Sequence, residues 1–435
     1  MKIKNIYRGQ LFKVTSLNSV SVLVRIAGGL LASKMVALFI GPAGMALTGN
    51  LRNFLTGLDS FSTLGFQNGI IKYTAQHAND EQKLYRTLAT VFISIFFTIL
   101  LLSSILLVLS GFWEEKIFGT GEYGWVFKVL AFSLPWYTGN LVFMAVLNGL
   151  GKYKQVIGIN IWGNATGVLL SALMIWKLGI TGALLGLIVY PALLFMFSFY
   201  LLYRTFPRFP FLRWKYFDRT ILRGLFSYSQ MSIISAILGP FVFLSIRNNL
   251  MENFSPSEAG FWESINRISV FYLMFSTTLL TVYFLPKLST ANSRDETRSI
   301  FLSYYKGIVP VFAAGLIAVY FLRHFIVQLL FSEEFMAMEG LFFWQLLGDF
   351  FKVCSLILGY ELIAKKMTRS FIAFELVSFT ILYVSSYFLI ARYGSEGAVM
   401  AHTFTSLIFL ILLLIFSRKK ILPAFLNKPV INNGK

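Results

Sequence analysis

The stretch Val91–Leu109, VFISIFFTILLLSSILLVL, decides the fold, because nineteen successive residues carry no charge. At about 1.5 Å per helical residue, such a run comes close to the hydrocarbon thickness of a bilayer, about 30 Å. A second run, Ser406–Phe416, SLIFLILLLIF, is equally apolar. Only 13% of the residues are charged, against about 25% in ordinary soluble domains. The chain therefore lacks the charged surface of a soluble protein and is predicted to lie in a membrane.

We predict an all-α integral membrane protein of about twelve transmembrane helices. The predicted spans are residues 15–39, 44–68, 87–110, 122–148, 155–177, 180–203, 222–248, 259–286, 302–322, 337–363, 370–391 and 396–417. The basic N-terminus leads into an apolar stretch that contains Arg25 and is too long for a cleaved signal peptide, so we interpret it as the first span. The single cysteine, Cys354, excludes a disulfide framework and a cysteine metal cluster.

Basic residues of the predicted loops, tails and span ends lie mostly on one side of the membrane. On this assignment 26 of 31 such residues share a side with both termini and with the segment 204–223. The opposite side carries Lys116, Lys177, Arg247, Arg323 and Arg392. The positive-inside rule then predicts that both termini are cytoplasmic. Because this bias explains most of the net charge of +19, nucleic acid is not needed as a partner.

Two short motifs recur with nearly the same offset and indicate an internal repeat. The recurring stretches are Ala43-Gly44 before Arg52 and Ala259-Gly260 before Arg267, then Gly179-Ile-Thr-Gly-Ala183 and Gly394-Ser-Glu-Gly-Ala398. We predict two six-helix lobes, 1–205 and 222–417, related as parallel repeats around a central cavity. A basic cytoplasmic connection, 206–221, joins them, and a basic cytoplasmic tail, 418–435, follows.

Charged residues inside the predicted spans are the candidate site residues. A charge at the centre of a membrane helix costs about 2.5–3.5 kcal/mol on insertion scales, so each needs a partner, a wet cavity or a function. Pairing on one helix face is one interpretation. The pairs with suitable spacing are Glu263–Arg267, Asp349–Lys352 and Arg52–Asp59.

A cationic cavity is the second interpretation of the same charges. Basic residues outnumber acids in the first two predicted spans, and Arg267 occupies the repeat-related position of span eight. Such a cavity suits an anionic ligand, and the planar arginine fork can bond two phosphate oxygens. The candidate substrate-binding residues are Arg25, Lys34, Arg52, Arg267 and Lys352. The candidates for ion coupling or charge pairing are Asp59, Asp349 and Glu361.

The remaining chemistry-bearing residues predict no cofactor. The three histidines are not spaced as metal ligands, and His402 is expected to make a polar contact between helices. The chain has no glycine loop for a nucleotide, so we do not expect direct drive by ATP.

Several longer motifs resemble a known family over nearly the whole chain, up to about residue 417. They are Gly41-Pro-Ala-Gly44, Asn50-Leu-Arg52, Gln67-Asn-Gly-Ile-Ile-Lys-Tyr-Thr-Ala-Gln76, Val282-Tyr-Phe-Leu-Pro-Lys-Leu-Ser289, Phe343-Trp-Gln-Leu-Leu-Gly-Asp-Phe-Phe-Lys352, Gly359-Tyr360 and Ala364-Lys365. They resemble lipid-linked oligosaccharide flippases of the multidrug/oligosaccharidyl-lipid/polysaccharide exporter superfamily, particularly those for lipid III of enterobacterial common antigen. The sequence departs from the lipid III pattern at Arg267 and Val270, where that pattern has a small polar and an acidic residue.

The resemblance implies a two-lobed flippase that opens alternately to each side of the bacterial inner membrane. Its substrate would be an undecaprenyl-pyrophosphate-linked oligosaccharide for surface polysaccharide of O-antigen or common-antigen type, including lipopolysaccharide. Related lipid II flippases carry cavity arginines on spans one, two and eight, a pattern that Arg25, Arg52 and Arg267 resemble. Expected partners are this lipid-linked glycan, membrane lipids, and the polysaccharide polymerase and chain-length proteins.

Two alternatives remain at the level of sequence. A cation-coupled multidrug exporter of the same superfamily would be expected to favour acids over arginines in its first-half cavity. A membrane glycosyltransferase or polymerase acting on the same lipid commonly has a large outer loop with catalytic residues, and the outer loops predicted here are short. We therefore expect a transporter and not an enzyme.

Overall fold

The first half of the chain folds into helices separated by short turns. The computed structural model describes residues 2–206, 212–291 and 293–421. Its first helices are α1 (Lys2–Phe39), α2 (Gly41–Ser62), α3 (Gln67–His77), α4 (Glu81–Val108), α5 (Ser110–Ile117), α6 (Gly124–Gly149) and α7 (Tyr153–Thr205). A 3-10 turn, Trp214–Tyr216, precedes α8 (Arg219–Asn253).

The second half continues in the same way. Its helices are α9 (Pro256–Leu279), α10 (Leu285–Thr290), α11 (Arg294–Phe321), α12 (Arg323–Leu330), α13 (Phe342–Ala364) and α14 (Thr368–Ile421). A π-helical turn, Leu280–Phe284, joins α9 to α10, and a 3-10 segment, Glu333–Leu341, precedes α13. The described residues contain no strand. This is expected in a bilayer, because lipid offers no hydrogen bonds and a helix satisfies all its backbone groups internally. The all-α prediction is confirmed.

Two helices are too long to cross a membrane once, and each is broken at a glycine. α7 has 53 residues and breaks at Gly179, with φ 56° and ψ −129°. α14 has 54 residues and breaks at Gly394, with φ 57° and ψ −135°. Residues with a side chain rarely adopt a backbone conformation with positive φ, which is why glycine is found at both positions. Each break divides a long helix into two arms.

The same two breaks confirm that the glycine motif recurs in structure. A Cβ on Gly182 would lie 1.9 Å from the Met174 carbonyl oxygen, and one on Gly397 would lie 2.2 Å from that of Leu389. The second glycine of each motif therefore lets the returning arm pack directly on the backbone of the first. Within α7 the arms stay in contact further along, since Gly167 packs against the ring of Tyr190.

Eight helical segments of the described chain are long and apolar enough to cross a membrane, including the two broken helices. The predicted spans 44–68 and 259–286 correspond to α2 and α9, which are more polar and carry Arg52, Asp59, Glu263 and Arg267. The count of twelve spans stays a prediction.

The helices group into two compact units, Met1–Leu244 and Ser245–Lys435. The boundary between these units lies inside α8, later than the predicted connection 206–221. In the first unit, buried residues of α4 and α6 such as Leu88, Val91 and Val146 form one apolar core. The predicted lobe bounds remain predictions. Residues 207–211 of the connection, and the predicted tail beyond residue 421, lie outside the described residues.

Candidate functional site

In the first unit, α2 presents two of the predicted site residues on one side. Arg52 and Asp59 are both half-buried, and seven residues make nearly two turns, so the two side chains leave α2 in similar directions. The Tyr137 hydroxyl of α6 donates a hydrogen bond to the Asp59 carboxylate. Asn50 Nδ2 donates to the Ile117 carbonyl oxygen at 2.7 Å and ties α2 to the end of α5. The polar face of α2 is thus held by neighbouring helices.

α1 carries the other two basic candidates of the first unit. Arg25 is exposed and Lys34 is half-buried. Gly28 lets α1 approach α7 closely, since a Cβ there would lie 2.8 Å from Cγ2 of Val168. Nine residues are two and a half turns, so Arg25 and Lys34 leave α1 on opposite sides. A ligand that binds to one side of α1 therefore contacts either Arg25 or Lys34, but not both.

In the second unit, Arg267 belongs to a buried triad of charges. Its Nε donates to Oε1 of Glu263 at 2.9 Å, which confirms the pairing interpretation for these two residues of α9. Nη2 of Arg247 lies 2.5 Å from the other carboxylate oxygen of Glu263. The Arg247 guanidinium carbon also lies 5.4 Å from the centre of the Trp262 ring, a favourable cation–π distance.

The triad corrects the interpretation of Arg247, which lies at the end of the predicted span 222–248 and was counted with the basic residues of the outer side. Arg247 lies within α8 and its side chain is fully buried, 0% exposed. α8 continues to Asn253, beyond the predicted end of its span. With two guanidinium groups and one carboxylate, the triad keeps one net positive charge inside the second unit.

A second buried polar network surrounds Asp349 of α13, whose side chain is 0% exposed. Its Oδ2 accepts hydrogen bonds from Ser269 Oγ at 2.6 Å, from Gln345 Nε2 at 3.2 Å and from the Tyr272 hydroxyl. Its Oδ1 lies 3.0 Å from Nε2 of His402. The network joins α9, α13 and α14, and it confirms that His402 makes a polar contact between helices.

The Asp349 network predicts a specific instability. Asp349→Asn keeps the shape but exchanges one of the two oxygens, which together contact Ser269, Tyr272, Gln345 and His402, for an amide donor. Leaving such buried groups unsatisfied costs about 1–3 kcal/mol, so we expect a lower unfolding temperature. Cys354 is the only cysteine and is buried, so a thiol-reactive fluorophore reports unfolding of the purified chain. The matched control, Glu396→Gln, alters an exposed carboxylate, and equal melting of both variants would contradict the prediction.

The two remaining candidates lie on the same helix in different surroundings. Lys352 is exposed and lies about one turn from Asp349, on whose carboxylate it acts through its charge and not through a hydrogen bond. Glu361 is buried near the end of α13, with 1% of its surface exposed. The predicted interaction of Asp349 with Lys352 is therefore one of charge without direct contact, and the carboxylate makes its hydrogen bonds to residues of α9, α13 and α14.

Sequence reasoning missed Arg247, Ser269, Tyr272 and Gln345 as members of these networks. Ser269 and Tyr272 lie two and five residues beyond Arg267 on α9, and Gln345 lies four residues, about one turn, before Asp349 on α13. The spacing of Gln345 and Asp349 was a usable signal, because residues four apart share a helix face. Contacts between different helices had no comparable signal.

Comparison with known proteins places the chain in a family. A family model described as "Polysaccharide biosynthesis protein" matches residues 11–292, more than half of the chain. The chain belongs to this family. The chain is 32% identical over 404 residues to the lipid III flippase of Escherichia coli (strain K12), and the match covers 92% of this chain and 96% of the relative. The lipid III flippase of Shigella flexneri matches equally. The resemblance inferred from the motifs is confirmed.

Solved structures show the same fold at low sequence identity. An inward-facing multidrug resistance transporter of the MATE family and MOP superfamily matches with a TM-score of 0.79 and 12% identity, over 92% of this chain and 98% of that one. The lipid II flippase MurJ in an inward closed conformation matches with a TM-score of 0.72 and 15% identity, over 94% and 89%. The chain is thus a multi-pass membrane protein with the fold of these transporters.

Proposed function

We propose that the chain is a flippase that moves an undecaprenyl-pyrophosphate-linked oligosaccharide from the inner to the outer leaflet of the bacterial inner membrane. The observation that carries this proposal is the 32% identity to a lipid III flippase over 96% of that protein. The product would serve synthesis of a surface polysaccharide of O-antigen or common-antigen type. Polymerase and chain-length proteins would be the partners that use it.

The cationic side chains of α1 and α2 support an anionic substrate. Arg25, Lys34 and Arg52 outnumber Asp59 on these helices, and Arg52 shares its side of α2 with Asp59. An arginine at a wet face can bind two oxygens of a pyrophosphate. Arg25 and Lys34 lie on opposite sides of α1, so only one of them belongs to the site. We assign the pyrophosphate to Arg25 and Arg52, because both carry the planar fork that bonds two oxygens. Lys352 and Arg267 belong to the second unit.

A flippase of this kind carries out a step that the substrate cannot make alone. A saccharide head group does not cross hydrocarbon unaided, because each unsatisfied polar group costs several kcal/mol. The inside of the membrane is negative, so moving about two negative charges outward across the full potential is favourable by roughly 4–5 kcal/mol per 100 mV. A returning cation would add to this drive, with Asp59, Asp349 and Glu361 as the proposed carriers.

Transport in proteoliposomes tests the function directly. The purified chain should move an undecaprenyl-pyrophosphate-linked saccharide between leaflets, measured as accessibility of the sugar to an added lectin. Cells without the protein should accumulate this lipid in the inner leaflet while its synthesis continues. Proteoliposomes that export a cationic dye but leave the lipid in place would favour the multidrug exporter instead.

We further propose that both termini and the 206–221 connection are cytoplasmic. Cysteine introduced at Arg213, an exposed position, in a Cys354→Ser background should resist a membrane-impermeant maleimide in intact cells and react after permeabilisation. Cysteine at Glu122, exposed between α5 and α6, should react in intact cells and serves as the matched control. Labelling of position 213 from outside would reverse the orientation.

A further inference from the structure

An apolar groove with a volume of about 510 Å³ runs along α4 and α6 of the first unit. It extends from Phe92 to Leu107 on α4 and from Ala131 to Phe143 on α6. Its two serine hydroxyls, on Ser103 and on the next residue, donate to backbone carbonyls. The lining therefore offers hydrocarbon contacts and few groups for a polar ligand.

Specific residues of α4, α6 and α7 build this groove. Pro135 has no N–H to donate to the Ala131 carbonyl, and Ser103 Oγ of α4 donates to that oxygen at 2.9 Å instead. Gly139 admits the Phe195 ring of α7, because a Cβ there would lie 2.7 Å from that ring. The groove is thus shaped by close packing between three helices.

The length of the groove selects among apolar occupants. Its α4 side runs from Phe92 to Leu107, about 22 Å at the rise of an α-helix. One leaflet accounts for only about 15 Å of a hydrocarbon core of roughly 30 Å. A phospholipid acyl chain is confined to its own leaflet, whereas a polyprenyl chain is long enough to follow the whole groove.

A basic segment borders the groove and adds charge complementarity. Leu212 lines the groove, and the ring of Trp214 lies 5.9 Å from that of Phe97 on α4. Arg213 and Lys215, on either side of Trp214, are exposed. Tryptophan flanked by basic residues is typical of the membrane interface, where it faces anionic lipid head groups.

Contacts with α4 hold this basic segment in place. The backbone N–H of Asp218 donates to Thr90 Oγ1 at 2.9 Å. Its carboxylate also lies 4.0 Å from Nη1 of Arg86. The two exposed positive charges of the segment are therefore fixed beside the groove, where a phosphate attached to an apolar chain would meet them.

We propose that this groove holds the polyprenyl chain of the phosphate-bearing lipid while Arg213 and Lys215 contact its phosphate before transport. The assignment rests on the proposed function, since it names where the apolar part of that substrate docks. It places the chain on α4 and α6 of the first unit, separate from the arginines assigned to the pyrophosphate during passage.

Binding of undecaprenyl phosphate to the purified full-length chain tests the assignment. Ser104→Phe should fill the groove and weaken this binding at least tenfold. The position tolerates the change, because Ser104 is exposed and bonds only within its own helix. Leu100→Trp, at a second exposed lining position, should act similarly. The matched control, Ala314→Phe on the exposed face of α11, should bind as the native chain does.

Chain length and head group separate the possible occupants. Native protein should bind undecaprenyl phosphate at least tenfold more tightly than farnesyl phosphate, and both groove variants should lose most of this preference. Replacing Arg213 and Lys215 together by alanine should weaken the binding of undecaprenyl phosphate and of farnesyl phosphate to a similar degree. Phosphatidylglycerol that competes equally with undecaprenyl phosphate would assign the groove to ordinary phospholipid and overturn the proposal.

Parallel transport measurements keep this proposal distinct from the proposed function. Native binding by folded groove variants that still move the lipid-linked saccharide would refute the groove and leave the flippase intact. Conversely, a native chain that binds undecaprenyl phosphate with the expected preference but moves no lipid-linked saccharide would refute the flippase and keep the groove.

Discussion

Replacing Arg52 by alanine is expected to reduce transport of the lipid-linked saccharide ten- to a hundredfold, and replacing Arg25 should do the same. A charge-assisted contact to phosphate contributes about 1.5–3 kcal/mol, which corresponds to that loss of binding. Arg→Lys at either position should retain partial transport, because lysine keeps the charge but not the planar fork. Lectin accessibility of the sugar in proteoliposomes measures the effect.

Lys34→Ala is the matched control for Arg25→Ala, because it removes the same charge from the opposite side of α1. We expect Lys34→Ala to transport close to the native rate. Asp59 needs a separate check, because it shares its side of α2 with Arg52 and accepts a hydrogen bond from Tyr137. The thermal unfolding reported by Cys354 identifies variants that fail to fold. Native transport by well-folded Arg25→Ala and Arg52→Ala proteins would reduce the cationic face to structural pairing.

Local sequence patterns predicted the parts of the structure that depend on one helix. Apolar runs located α4 and α6, and the glycine motifs marked the breaks at Gly179 and Gly394. The four-residue spacing predicted the ion pair of Glu263 with Arg267. The helical period also implied that Arg25 and Lys34 face opposite ways, although the sequence argument grouped them by net charge.

Contacts between helices were not available from local patterns. Arg247 reaches Glu263 from α8, sixteen residues earlier in the chain. The sequence placed it at the end of the predicted span 222–248 and counted it with the basic residues of the outer side. Asp349 finds most of its hydrogen-bond partners on α9 and α14, so its spacing to Lys352 predicted an interaction of charge but none of its direct contacts. Buried charges in membrane helices are satisfied by tertiary packing, which the order of residues alone does not specify.

Glu263→Gln is expected to destabilise the second unit more than Arg247→Met does. Glu263 is the single negative member of its buried triad, and glutamine would remove the negative charge that both guanidinium groups contact. Removing one partner of a buried ion pair costs about 3–5 kcal/mol, because the remaining charge is uncompensated. Arg247→Met instead leaves Arg267 and Glu263 as a neutral pair, 2.9 Å apart on their own helix.

Unfolding of the purified variants, followed through the reaction of Cys354 with a fluorogenic thiol reagent, should rank them in this order. Arg267→Ala is the informative third variant, because it also leaves a neutral pair, Arg247 with Glu263, at 2.5 Å. It should therefore melt close to Arg247→Met. If Arg267 contributes to phosphate binding, Arg267→Ala should lose transport while it keeps its fold. If Arg267 is purely structural, Arg267→Ala should lose transport only to the extent that it loses stability. A Glu263→Gln protein that melts at the native temperature would show that the net charge of the triad does not govern its stability.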